Sequence, residues 1–491
     1  MSKMGPDGGH LADAFQLVSN PHVKTTQSKP GEFPDTPTQG SLDNLPSGIR
    51  QALDKYPLDW VDSKSIVGLY ARANPELGML ASIVKEGNPA LQQGSALDSK
   101  LLTQAGIMMN ESPQQTSDLK TFTNGSVDPT LQQMLSAAGR DQFAVHDVVA
   151  GADGNTANNN FIKGLVTHQF ADGGAAAGNI LHGMAPVAVQ HDLLDPTQHA
   201  MATRSGETMH AIDQYIATHS GELTHLGQTS PELTKAVAEA SAPYISDMTG
   251  NPLTHTSGYA ALDDPVHHAE MTNTRELFRV LDSNNDAAKI LNTRADLDAL
   301  QYRERFVDSI AHGNGPTSDL QSEEALRGVI AHGSNEAAND LISDKNLAAQ
   351  HAYEQRGNWL EDAKTVAKQI PAVGAVLDKI PDNMLKQLFV GDAPTPEATH
   401  GIAIDSGDTL QHSLAQQLLN SNVGDSSRLT DFIDPSTGQL YTLDQMVQNH
   451  DGTLADFRTA VQDYFYRIDG KIPGFINTAD DAYMKSLSDD K

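Results

Sequence analysis

The residues best suited to chemistry in this 491-residue chain are histidines and aspartates crowded between Gly139 and Thr203. His182, His191, Asp192 and Asp195 stand close together, behind His146-Asp147 and His168. Imidazole and carboxylate ligands of this kind can hold a divalent ion that acidifies a bound water, as in a metal-assisted hydrolase. The spacing argues the other way. No His-Glu-x-x-His occurs, and no two histidines sit three or four apart on one helix. Nineteen histidines spread over the chain must often fall near aspartates, so helix ends and surfaces are their expected places. No catalytic, cofactor-binding or metal-ligating residue is therefore assigned.

Other motifs fail at defined positions. The loop Asp282-Ser-Asn-Asn-Asp286 imitates half of a calcium loop, but has Ala287 where the sharp turn needs glycine and Thr293 where glutamate should anchor the ion. It reads as a polar turn with Asp286 at the start of the next helix. Gly173–Gly178 lacks the lysine of a phosphate loop and reads as a close-packing segment, and no Gly-x-Ser-x-Gly elbow is present. With no cysteine, disulfides, thiolate metal sites and thiol nucleophiles are excluded.

The elements that would position any site are helices. Hydrophobic residues make up 38% and aromatics 5% of the chain, so the core must come from Leu, Ala, Ile, Val and Met. Met209, Ile212 and Ile216 share one helical face, as do Leu233, Val237, Ala240, Tyr244 and Met248. Caps recur at the junctions. Asn74-Pro75, Asp128-Pro129 and Ser230-Pro231 each place an oxygen acceptor before a proline at the first helical position. Asn273 with Glu276 predicts a capping box. Further stripes run through Ile66–Tyr70, Leu297–Ile310, Glu323–Ala331, Glu336–Ile342 and Val366–Ile380, the last divided at Pro371.

The expected architecture is mainly α, a multi-helix bundle-like domain. Residues 1–45, interrupted by five prolines with Pro46, form a disordered arm with a short helix at Leu11–Val18. Residues 46–395 form the main domain, with a sub-boundary near 139. Beyond the linker Asp392–Glu397, residues 396–491 either form a small helical module or pack back on the body.

Sixty-three acidic against 33 basic residues give a net charge of −30. That balance disfavours nucleic acid or an anionic membrane, and leaves other proteins as partners, a basic surface being the best match. No apolar run approaches a membrane span, and the N-terminus has no apolar leader core. The cytoplasm and export by a leaderless route both stay open.

The order Ser205–Ile212, Ser230–Val237, Ala242–Gly250, Gly258–Asp263, Thr274–Ala288 and Tyr353–Leu360, with His168–Ala177 upstream, resembles an actinobacterial family found in mycobacteria and described as TPR repeat region-containing. The resemblance spans about residues 45–395. It implies a helical protein from a cell-envelope or type VII secretion context, in some relatives beside toxin modules, and no catalytic residues. No 34-residue period is visible, and a Tyr-x-x-x-Asp match at Tyr259–Asp263 is within chance. The expected function is a non-enzymatic, acidic interaction or secretion-associated protein. The alternatives are a hydrolase around residues 182–195 and a toxin whose C-terminal module is active.

Overall fold

A computed structural model describes residues 6–25, 38–63, 68–112, 117–185, 195–253, 256–263, 270–368, 380–391, 405–449 and 453–488. The chain is mainly α-helical, and its contacts divide it into two compact units: residues 1–244 with 255–260, and residues 245–254 with 261–491. No helix among the described residues is long and apolar enough to cross a membrane.

In unit 1 the longer helices are α1 (Pro6–Ser19), α2 (Ser47–Asp54), α3 (Pro75–Glu86), α4 (Ala96–Glu111), α5 (Ser117–Ala138), α6 (Gln142–Val149), α7 (Asn159–Thr167), α8 (Pro196–Thr218) and α9 (Pro231–Ser241). Helix α5 lies against both α3 and α4, and α4 against α6 and α7. Leu77, Leu80, Leu97, Leu101, Leu131 and Leu135 are buried at these faces. The expected short helix in the arm is α1, which buries Ala12 and Phe15; residues 26–37 lie outside the described part. Two strand pairs complete the unit. β1 (Lys24–Thr25) pairs with β2 (Thr38–Gln39), and β3 (Leu58–Ser63) pairs antiparallel with β4 (Gly68–Ala73), so Leu69 and Tyr70 of the helical turn expected at 66–70 lie on a strand instead, and Ile66 lies outside the described residues. Pro57 and Leu58 are buried while Asp59 and Trp60 are exposed, so the start of β3 lacks the strict alternation that would mark a strand in the sequence.

In unit 2 the helices are α10 (Thr272–Leu281), α11 (Asn285–Ala311), α12 (Asp319–Leu341), α13 (Lys345–Ala367), α14 (Asp382–Phe389), α15 (Ser406–Asn420), α16 (Thr453–Ile468) and α17 (Ile472–Leu487). Helix α12 is central and packs against α10, α11, α13 and α17. The two pieces expected at 323–331 and 336–342 are one helix. Gly333 does not break it; a Cβ there would stand 2.8 Å from the Phe278 Cβ, so the glycine lets α10 approach. The C-terminal helices pack onto this unit, α17 along α12 and α15 against α17. Pro371 and the 392–397 segment lie outside the described residues.

Caps divide instructively. Asn74 accepts from the Glu76 amide, and Asn284, in the calcium-like loop, accepts from the Ala287 amide to start α11. Asp195-Pro196 uses the same device for α8. Three expected starts differ. The Ser230 hydroxyl makes no cap bond; the Glu232 amide donates instead to the Gly173 carbonyl. Pro129 lies inside α5, and the Asp128 carboxylate reaches across to another segment. No Asn273–Glu276 box forms. Met271 stands left-handed at the start of α10, and Asp263 accepts from the Asn273 and Thr274 amides, freeing Glu276 to pair with Arg279. A distant acceptor wins where folding places it on the orphan amides first.

Candidate functional site

Of the four residues in the histidine–aspartate cluster, Asp195 is committed to its helix. Its carboxylate accepts from the Thr197 amide at 2.9 Å and the Gln198 amide at 3.4 Å. His182 follows the turn Asn179–Leu181, and its carbonyl accepts from Gln142 Nε2 at 3.0 Å. His191 and Asp192 lie outside the described residues. Among the described residues no group of three or more His, Asp or Glu is arranged to hold a metal ion.

Histidine–carboxylate pairs form elsewhere in unit 1. His168 closes α7, and its Nε2 meets Asp128 Oδ1 of α5 at 2.9 Å with both side chains buried. The other Asp128 oxygen accepts from the Ala171 amide at 2.6 Å, and His168 Nδ1 faces the Met109 carbonyl of α4. One buried pair therefore ties three helices. His146, in the last turn of α6, sits between Asp147 (3.0 Å) and Glu207 of α8 (2.7 Å). Gly154 covers that contact at φ +70, and a Cβ there would meet the Glu207 carboxyl carbon at 2.3 Å. Both histidines stand at helix ends, as the sequence suggests, yet they are interior, because carboxylates satisfy their nitrogens. Their partners lie 40 and 61 residues away, a separation that no local pattern reveals.

Two further carboxyls of unit 1 are buried among neutral donors. Asp213 of α8 accepts from the Ser241 and Tyr259 hydroxyls, each at 2.8 Å, and burial pushes it up to about 7. Tyr259 reaches it because Gly206 and Gly258 let their backbones cross. A Cβ on Gly206 would fall 2.0 Å from the Ser257 carbonyl oxygen. Tyr259 also stacks on Tyr244, with centroids 4.5 Å apart. Asp98 is raised by burial and by Asp141 beside it, while Asp141 accepts from the Gly94, Ser95 and Ala144 amides. Tyr259 and Asp263 of the Tyr-x-x-x-Asp match are both buried in such internal roles, so neither is displayed for recognition.

Unit 2 buries Asp263 and Asp282 among neutral donors as well, but it sets other carboxyls against guanidinium groups. Arg303 of α11 donates to Glu323 at 2.6 Å and to the Ser413 hydroxyl at 3.2 Å. Arg327 pairs with Glu324 and donates to the Leu388 carbonyl, its guanidinium also facing the Phe389 and Tyr483 rings. Arg275 donates to the Lys485 and Ser488 carbonyls at the end of α17, and His332 Nδ1 meets Leu487 O at 3.1 Å. The Arg275, His332 and Arg327 contacts bind α17 into the unit.

What unit 1 does present outward is apolar. Tyr56 is 50%, Trp60 45% and Met79 59% exposed. Tyr56 and Met79 flank the Lys55–Glu76 ion pair (2.6 Å), Met79 lying three residues along α3 from Glu76. Trp60 stands on β3, whose start is fixed to α3 by the Asn74 amide on the Pro57 carbonyl.

No curated protein and no solved structure matches the chain. Of the resemblance read from residues 45–395, the TPR-repeat part is supported, over a span that begins at the arm and α1. Residues 1–183 match the family described as TPR repeat domain.

Proposed function

We propose that this chain is a non-enzymatic helical protein whose TPR-like region, residues 1–183, binds another protein. The observation that carries the reading is the family match over a segment in which Tyr56, Trp60 and Met79 are each exposed. TPR repeats generally mediate protein–protein interaction, and exposed aromatic anchors are what such interfaces bury at their centres. The net charge of −30 favours a partner with a basic surface, for encounter more than for final affinity. The actinobacterial cell-envelope or type VII secretion context implied by residues 205–360 belongs to the same proposal. Its check is recovery of the protein from culture filtrate of an export-competent host and its loss when export is disabled.

The binding surface is tested with a photo-crosslinking residue placed at Tyr56 or Met79 in the full chain, expressed in its own host. The same residue at Tyr466 or Met484, exposed positions of unit 2, is the comparison. Discrete adducts from the first pair alone are expected. Adducts from the second pair alone, or from none, contradict the assignment.

A further inference from the structure

Helices α6 and α8 run side by side in unit 1, with Phe143 beside Arg204 and, one turn on, His146 beside Glu207. Next to the first of these pairs lies a recess of about 330 Å³, counted out to its mouth. Gln142 and Phe143 of α6, Met201, Arg204, Ser205 and Thr208 of α8, and Gly183-Met184 line it.

The polar groups around it divide into spent and unspent. The Thr208 hydroxyl donates to the Arg204 carbonyl at 2.8 Å, and the Gln142 amide donates to the His182 carbonyl at 3.0 Å. Arg204 makes no hydrogen bond and no ion pair among the described residues; its guanidinium carbon sits 4.6 Å from the Phe143 ring centroid. Such a stack fixes the guanidinium plane and leaves its fork open. In a chain with 63 acidic residues, a half-buried guanidinium without a carboxylate is out of keeping with the rest. Ser205 is 5% exposed and its hydroxyl makes no hydrogen bond among the described residues, although it lines the recess. Two adjacent donors on one helix therefore face a space whose other walls are Phe143, Met184 and Met201.

The geometry points to a binding site for a short aliphatic monocarboxylate. The carboxylate lies on the Arg204 fork with the Ser205 hydroxyl donating to it, and the hydrocarbon lies against Met184, Met201 and the Phe143 edge. Methionine suits such a wall because its flexible thioether adapts to different chains. A phosphate fits less well, since it brings up to two charges to one guanidinium and leaves the apolar walls uncovered. This inference does not depend on the protein partner proposed above.

The test is titration of the full chain with hexanoate, 1-hexanol and inorganic phosphate by saturation-transfer NMR and calorimetry. Hexanoate is expected to bind with Kd of about 1 mM, and the other two at least about tenfold more weakly, the loss of one charge-assisted hydrogen-bond pair. Arg204→Gln loses about tenfold or more for hexanoate, and Ser205→Ala loses about threefold to tenfold. Arg204→Lys, which keeps the charge without the fork, retains an intermediate affinity and serves if the glutamine variant does not fold. Equal binding of hexanol and hexanoate, unchanged affinity in both Arg204 variants, or no hexanoate binding at all overturns the assignment.

Discussion

Asp213 in unit 1 and Glu323 in unit 2 are both fully buried carboxyls on helices, and burial raises both. What opposes the rise differs. Around Asp213 stand two hydroxyls; around Glu323 stand the guanidinium groups of Arg303 and Arg327, with Glu324 as a second negative charge. Asp98, on the Gln92 amide, and Asp282 of unit 2, on the Asn292 amide, repeat the first solution, and Arg294–Asp298 and Arg458–Asp408 repeat the second. A carboxyl held by neutral donors can stay buried by keeping its proton. One held by guanidinium groups stays ionised only while its partner is present. The Asp213 site should thus tolerate a single loss that the Glu323 site does not.

The largest expected effect sharpens that contrast. Arg303→Met leaves Glu323 buried without its principal donor and should destabilise unit 2 by about 3–5 kcal/mol. The chain has two tryptophans, Trp60 in unit 1 and Trp359 buried in unit 2, so a Trp60→Phe background reads unit 2 alone in urea. Next is Gly206→Ala, whose Cβ collides with the Ser257 carbonyl and pushes Tyr259 off Asp213; about 1–3 kcal/mol is expected, read through Trp60 in a Trp359→Phe background.

The third test uses pH. Asp213 is raised from 3.8 to about 7 in the fold, so the folded state holds its proton more tightly. Its contribution is fully present below about pH 4 and is lost as pH rises through about 7. Asp213→Asn, which mimics the protonated acid, should remove that part of the decline between about pH 4 and 7.5 in urea midpoints. An unchanged slope would show that Asp213 is ionised throughout. The smallest effects compare two look-alike caps. Asn74→Ala should cost about 1 kcal/mol, whereas Ser230→Ala should change stability by less than about 0.5 kcal/mol, because its hydroxyl caps nothing.

The same pair of caps shows how far the sequence could be read. Helical class, the start at Asn74, the start near Asp286 and the buried face of α9 follow from spacing within one or two turns, and those readings hold. Ser230 and Asn273 carry equally good local signals, but Gly173 and Asp263 supply the acceptors from outside the helix. Gly333 reads as a breaker until the neighbouring helix that needs it is known. The division into units depends on residues 255–260 returning to α8, and only the Gly206–Gly258 crossing explains that return. Within residues 1–183 the helices α3, α4, α5 and α6 have 12, 16, 22 and 8 residues, with a hairpin between α2 and α3, which hides any repeat period. The Arg204–Ser205 recess leaves no trace in a linear reading, since its second wall comes from α6, 61 residues earlier.

Double-mutant cycles on two pairs, Arg303 with Glu323 and Tyr259 with Asp213, test the contrast between the two sites most directly. Arg303→Met, Glu323→Leu and their combination should give a coupling energy of about 3 kcal/mol, with the double variant close to the parent. Tyr259→Phe, Asp213→Asn and their combination should give about 1 kcal/mol or less at pH 6. Equal couplings, or a larger one for the tyrosine–aspartate pair, would contradict it.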